Sequence, residues 1–112
     1  PNPKEIGNAG SFFKNPVIER SVYNDLVRMH PQIPYYDVDK DRVKVPAGWL
    51  IDQSGLKGYR NGDAGVHKNQ ALVLVNYGEA TGEEILMLAK MIQNKVSQKF
   101  GVPLEAEVNI IQ

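Results

Sequence analysis

Thr81-Gly82-Glu83-Glu84-Ile85-Leu86-Met87-Leu88-Ala89-Lys90-Met91-Ile92-Gln93-Asn94-Lys95-Val96-Ser97-Gln98-Lys99-Phe100-Gly101 is the stretch that decides the fold class. Thr81 and Glu84 stand at capping-box spacing, so each side chain can accept a backbone N–H left over by the first helical turn. Ile85, Leu88, Ala89, Ile92 and Val96 then form one stripe of a helical period. Gly101 follows where a left-handed cap is expected. The reading is one long helix whose stripe faces a core.

Downstream, Leu104, Ala106, Val108 and Ile110 alternate with Glu105, Glu107 and Asn109, the pattern of a half-buried strand. Upstream, Leu72 to Val75 is continuously apolar and reads as a buried strand. Leu56 to Asn69 is rich in glycine and is predicted to be irregular. Pro46 suits the first residue of a short helix through Trp49, Leu50 and Ile51, which Gly55 ends. Val43 and Val45 alternate with Arg42 and Lys44. With Val38 they predict a hairpin turning at Asp39-Lys40-Asp41, preceded by a loop from Gln32 to Tyr36. Tyr23, Leu26, Val27 and His30 share a helical face that Pro31 stops. Pro16 would break a ladder, so the strand carrying Phe12 and Phe13 is placed before it. Pro1 to Asn8 reads as an extended lead-in. Helices and strands do not alternate regularly, and hairpins are present. The expected class is therefore α+β: a mainly antiparallel sheet, one long C-terminal helix and one or two shorter helices.

The chain has 112 residues, and the whole span from 1 to 112 suits a single domain. Its 42% hydrophobic and 23% charged residues are ordinary for a folded protein. Thirteen basic residues balance thirteen acidic ones, so no cationic field draws in nucleic acid or an anionic membrane. An anionic ligand must be held by a local site. There is no cysteine, which excludes disulfides and thiolate metal sites and fits a cytoplasmic protein. No apolar run approaches the roughly 20 residues that span a bilayer. The start at Pro1-Asn2-Pro3, without methionine, reads as a piece cut from a longer protein.

Two constellations stand out. In Gly7-Asn8-Ala9-Gly10-Ser11-Phe12-Phe13-Lys14-Asn15-Pro16, small residues lead to a serine, so a ligand can approach the backbone closely. Ser11 can donate or accept a hydrogen bond and Lys14 can meet an anion. The same residues also suit a tight turn followed by an aromatic strand. In Glu105-Ala106-Glu107, both carboxylates project from one strand face. One of them suits a general acid, and both equally suit a solvated polar face. Tyr35 and Tyr36 suit stacking on a base or sugar, or packing. Ser11 has no nucleophile elbow around it, because Phe12 and Phe13 follow. His30 and His67 form no recognised metal motif. The glycines from Gly55 to Gly65 match no Walker loop and no dinucleotide fingerprint.

The Gly7–Pro16 run resembles the signature of the UDP-N-acetylenolpyruvoylglucosamine reductase (MurB) family. Three further segments resemble that family in the same order: Ala47-Gly48-Trp49-Leu50-Ile51-Asp52-Gln53, then Val66-His67-Lys68-Asn69-Gln70-Ala71-Leu72-Val73-Leu74, then Leu104-Glu105-Ala106-Glu107-Val108. The resemblance covers essentially the whole chain. It implies an enzyme that uses NADPH and FAD to reduce the enolpyruvyl group of UDP-N-acetylglucosamine enolpyruvate, giving UDP-N-acetylmuramate for peptidoglycan. It implies Ser11 as proton donor and Glu107 as the carboxylate that helps stabilise the enol-like intermediate. It implies Asn15 and Gln70 as holders of the UDP portion, and Tyr36 as a tyrosine on a loop closing over the nucleotide. The family usually has proline at the position of Ala106. Its flavin-binding region, with an arginine that activates substrate, lies upstream, and a phosphate-binding lysine is expected just before Pro1. The resemblance thus implies a substrate-binding domain that partners a flavin-binding domain of the same chain and by itself holds no FAD and turns nothing over. The rival expectation is a free-standing α+β module that binds a nucleotide or a protein without catalysis.

Overall fold

A computed structural model of the chain describes residues 12–69, 71 and 74–106. The elements run β1 (Val17–Glu19), α1 (Arg20–Met29), β2 (Tyr36–Asp37), β3 (Arg42–Lys44), α2 (Ala47–Gln53), β4 (Arg60–Asn61), β5 (Ala64–Val66), β6 (Leu74–Asn76) and α3 (Gly82–Phe100). The fold is α+β. Among the described residues the pairing is antiparallel and falls into two three-stranded sheets, ordered β1-β3-β2 and β4-β5-β6.

The long helix is built as its sequence predicts. Thr81 accepts from the Glu84 N–H at 3.1 Å, and Glu84 Oε1 accepts from the Thr81 N–H at 2.8 Å. Glu83 and Glu84 add negative charge where the helix dipole is positive. Gly101 closes the far end at φ 69°, a left-handed conformation that costs glycine little. Asn76 prepares the start. Its amide donates to Ala80 O at 2.9 Å, and its carbonyl accepts from Gly78 N at 2.8 Å and Ala80 N at 3.1 Å. A buried polar side chain is thereby paired throughout, as burial demands.

The helical stripe is the spine of the core. Ile85, Leu88, Ala89, Ile92 and Val96 are all buried, with Phe100 continuing the row. The helix packs on β5 and on α2, which contributes Leu50 and Ile51. Phe100 gathers three elements at one end. The His30 ring lies 4.7 Å from it and the Trp49 ring 5.8 Å, tying the end of α1 and the face of α2 to the end of α3. His30 is the C-terminal cap of α1, donating its N–H to Leu26 O before Pro31 stops the helix.

Three expectations need correction. The strand near Pro16 follows that residue, as Val17–Glu19, and the segment before it makes, among the described residues, a single bridge between Phe13 and Ala106. Proline has no N–H to give, but its carbonyl accepts from Val45 N at 2.9 Å, so pairing with the β3 chain starts there. Tyr36 opens β2 rather than ending a loop. Pro46 caps α2 from outside instead of being its first residue.

The glycine-rich stretch is also more ordered than expected, because it folds into the β4–β5 hairpin. Gly65 sits where a side chain has no room: a Cβ there would lie 2.9 Å from Tyr59 O and 2.9 Å from Tyr77 Cε2. Tyr59 O is fixed by the Val66 N–H at 2.7 Å, and the Arg60 guanidinium lies 3.9 Å over the Tyr77 ring. Gly65→Ala is therefore expected to cost about 1–3 kcal/mol of stability. A urea midpoint equal to that of the parent would refute this packing.

Candidate functional site

Two chain segments that are distant in sequence meet at one end of the domain. Phe13 bridges Ala106, and the Lys14 N–H donates to Glu105 O at 2.8 Å. Three residues later the same segment passes into β1 and pairs with β3. Residues 13–19 thus serve two neighbours in turn, with Pro16 between them. Phe12 and Phe13 anchor the segment. Both are buried, and their rings meet edge to face at 5.0 Å.

Beside this crossing lies a small open hollow lined by Lys14, Asn15, Pro16, Val17, Pro103 and Glu105. Lys14 Nζ stands 3.8 Å from Glu105 Oε1, with both side chains mostly exposed. A pair so exposed adds little stability and can be separated readily by a competing anion. Asn15 has a structural duty that its sequence did not announce. Its carbonyl oxygen accepts from Ala47 N at 2.8 Å, satisfying the first N–H of α2. Asn15 also lines the hollow.

The open face of the first sheet continues this surface. Val17 is in register with Lys44, and Lys44 with Tyr36. All three are exposed, while the next row, with Ile18 and Val43, turns two apolar side chains into the core. Adjacent strands lie about 4.8 Å apart, so Lys44 is flanked at close range by Val17 and Tyr36. Lys44 makes no ion pair among the described residues. Sequence reasoning had not named it as a site residue, although the alternation of Arg42, Val43, Lys44 and Val45 already placed it on the outer face.

The two neighbouring tyrosines divide their roles. Tyr35 leans on Tyr23, with ring centroids 4.7 Å apart, while 45% of it stays exposed. Tyr36 is 60% exposed and projects. Desolvation raises the pKa of the Tyr23 phenol.

Of the site residues predicted from sequence, Asn15 and Tyr36 fall on this connected surface. Ser11, Gln70 and Glu107 lie outside the described residues. Ser11 is two positions before Phe13, and Glu107 immediately follows Ala106. Gln70 stands between exposed Asn69 and buried Ala71. His67 accepts from Asn69 N through Nδ1 at 3.0 Å. Among the described residues, no group of three or more His, Cys, Asp or Glu side chains is placed to hold a metal. No described helix is long and apolar enough to cross a membrane.

Comparison with known proteins agrees with this architecture. The family model described as "UDP-N-acetylenolpyruvoylglucosamine reductase, C-terminal domain" matches residues 2–111. Proteins named UDP-N-acetylenolpyruvoylglucosamine reductase are similar over nearly the whole chain. One from Flavobacterium johnsoniae is 59% identical over 111 residues, covering 99% of this chain and 33% of the relative. One from Chromobacterium violaceum is 58% identical with the same coverage. One from Bacteroides fragilis is 50% identical, again over 99% of this chain and 33% of its own length. The chain therefore spans about a third of the length of these relatives. By the extent of the match, it belongs to the UDP-N-acetylenolpyruvoylglucosamine reductase C-terminal domain family.

Proposed function

We propose that this chain is the substrate-binding domain of a bacterial cytoplasmic reductase that converts UDP-N-acetylenolpyruvoylglucosamine to UDP-N-acetylmuramate in peptidoglycan synthesis. Residues 1–112 act as one domain beside a flavin-binding domain of the same full-length protein. The observation that carries this reading is the crossing of residues 13–14 with 105–106. It ties the segment bearing Ser11 and Asn15 to the one bearing Glu107.

The assigned roles suit the chemistry. The substrate is a dianionic nucleotide diphosphate joined to a sugar that carries a second acid. The exposed cations Lys14 and Lys44 suit its negative charge, and Tyr36 offers an aromatic face to base or sugar. Asn15 donates through its amide, and Gln70 adds a second amide to the UDP portion. Ser11 delivers a proton to carbon as the double bond is reduced, and Glu107 supports the charge that builds there. Groups pre-aimed at developing charge lower the barrier more than groups that must reorient.

Hydride chemistry is assigned to the FAD and NADPH of the full-length enzyme, and binding and proton delivery to this chain.

The test is NADPH oxidation by the full-length protein supplied with the enolpyruvyl UDP-sugar. Turnover is expected, and none from a flavin-loaded protein would sink the reading. Asn15→Asp refines it, because it keeps the acceptor for Ala47 N–H but loses the amide donor. A rise of at least about tenfold in KM is expected, from the lost hydrogen bond and the carboxylate set against an anionic ligand, with an unchanged melting temperature. A lowered melting temperature with unchanged KM would leave Asn15 a purely structural role.

A further inference from the structure

Arg20 opens α1, and its guanidinium grips the hairpin that carries Tyr36. Nε donates to Lys40 O at 2.9 Å, and Nη2 donates to Asp37 Oδ1 at 2.8 Å and to Asp39 O at 2.9 Å. The Arg20 backbone N–H donates to Asp41 O at 2.8 Å. One residue thus reaches both the second residue of β2 and the turn that follows it. The turn is tightened from within by Asp39, which accepts from Asp41 N at 2.9 Å and from Arg42 Nε and Nη2 at 3.1 and 2.9 Å. The Arg42 bonds hold the Asp39 carboxyl below the usual carboxylate range, and the bond to Asp37 raises the Arg20 guanidinium.

Besides Arg20, the hairpin is held by the Val38 and Asp39 N–H groups, each 3.2 Å from Arg42 O, and by the Tyr35 ring against Tyr23. β2 is two residues long and, among the described residues, lies at the edge of its sheet and pairs only with β3. Short edge strands fray easily. The Tyr36 ring has no ring partner among the described residues, so its direction depends on the backbone beneath it. Arg20 follows Glu19, which pairs with Arg42 at the opposite end of the ladder from the Val17–Lys44–Tyr36 row.

We infer that Arg20 is a positioning residue for nucleotide-sugar binding: it holds the β2–β3 hairpin so that Tyr36 and Lys44 are pre-aimed at the ligand. The inference rests on the reading of Tyr36 as a substrate contact. Binding to a hairpin that must first be ordered loses affinity by the cost of ordering it. A planar fork can serve Lys40, Asp39 and Asp37 together, which an ammonium cannot do with the same geometry.

The experiment uses the full-length protein with Arg20→Met, which keeps the stem and removes the donors, and Arg20→Lys, which keeps the charge. Arg20→Met is expected to raise KM for the UDP-sugar about tenfold with kcat within about twofold, and Arg20→Lys to fall between it and the parent. Amide exchange in residues 36–44 should quicken by about tenfold in Arg20→Met without substrate. Tyr36→Ala should raise KM by itself, and adding Arg20→Met to it should raise KM no further. Unchanged exchange at residues 36–44, or effects that multiply in the double variant, overturns the role of Arg20 and leaves the Tyr36 reading standing. An unchanged KM in Tyr36→Ala overturns that reading and this inference together.

Discussion

Ser11→Ala in the full-length enzyme is expected to lower turnover of the enolpyruvyl sugar by about 10²- to 10⁴-fold, the usual worth of a placed proton donor. Flavin reduction by NADPH, followed in the absence of the sugar, should be retained. The distinction follows from the role proposed for the hydroxyl. It serves carbon protonation and has no part in the earlier step. Ser11 itself lies outside the described residues, but its segment is fixed from Phe13 onward by the bridge to Ala106 and the Lys14–Glu105 backbone bond. Substrate affinity should change little, because a small hydroxyl contributes little ground-state binding. Stopped-flow absorbance of the flavin separates the two half-reactions. Parent-like oxidation of the reduced flavin by substrate in Ser11→Ala would remove Ser11 from the chemistry. Equal loss in both half-reactions would point to a structural defect instead.

The second large effect is on stability. Phe13→Ala is expected to cost about 3–5 kcal/mol. Phe13 is 1% exposed, and its ring meets that of Phe12 at 5.0 Å. Truncation leaves a cavity and loosens the point where the first described residues pair with the last. A small domain has only about 5–15 kcal/mol in all, so the loss removes much of the margin. Phe13→Leu should cost clearly less, because it keeps most of the volume. Chemical denaturation of the purified 112-residue chain checks both. A Phe13→Ala midpoint within error of the parent would mean that the ring does not carry the packing seen here.

Much of the fold could be read from residue order, and the physical reason is local. The Thr81–Glu84 box, the Ile85–Val96 stripe and the Gly101 cap are set by neighbours within a few positions. The hairpin turning at Asp39–Asp41 was legible because Val43 and Val45 alternate with charged residues. The β4–β5 hairpin was not. Arg60-Asn61-Gly62-Asp63-Ala64-Gly65-Val66 has almost no β-branched residue, and it is held by contacts from elsewhere. The Tyr77 ring lies over Gly65, Arg60 lies over that ring, and Asp63 accepts from Glu79 N at 2.9 Å. The strand beside Pro16 was placed on the wrong side because its partner, β3, lies far along the chain.

The candidate site divides in the same way. Motif likeness pointed to Asn15 and Tyr36, and the sheet register brings their segments together. It gave no sign that the Asn15 oxygen is spent on the start of α2, nor that Arg20 steadies the Tyr36 strand. Both facts depend on groups distant in sequence whose spacing carries no signal. Tyr35 and Tyr36 were equal as letters, and the Tyr23 ring and the pairing of Tyr36 with Lys44 distinguish them.

The junction of residues 13–14 with 105–106 also has a consequence for biosynthesis. The two partners are separated by most of the polypeptide, so closing that loop forfeits chain entropy that early local contacts cannot repay. During translation the N-terminal half of the pair waits, unmatched, until the ribosome has released its mate. Nascent chains halted within α3 should therefore leave Phe12 and Phe13 open to chaperones, and protection of these two rings should appear only once residues 105 and 106 have left the ribosome.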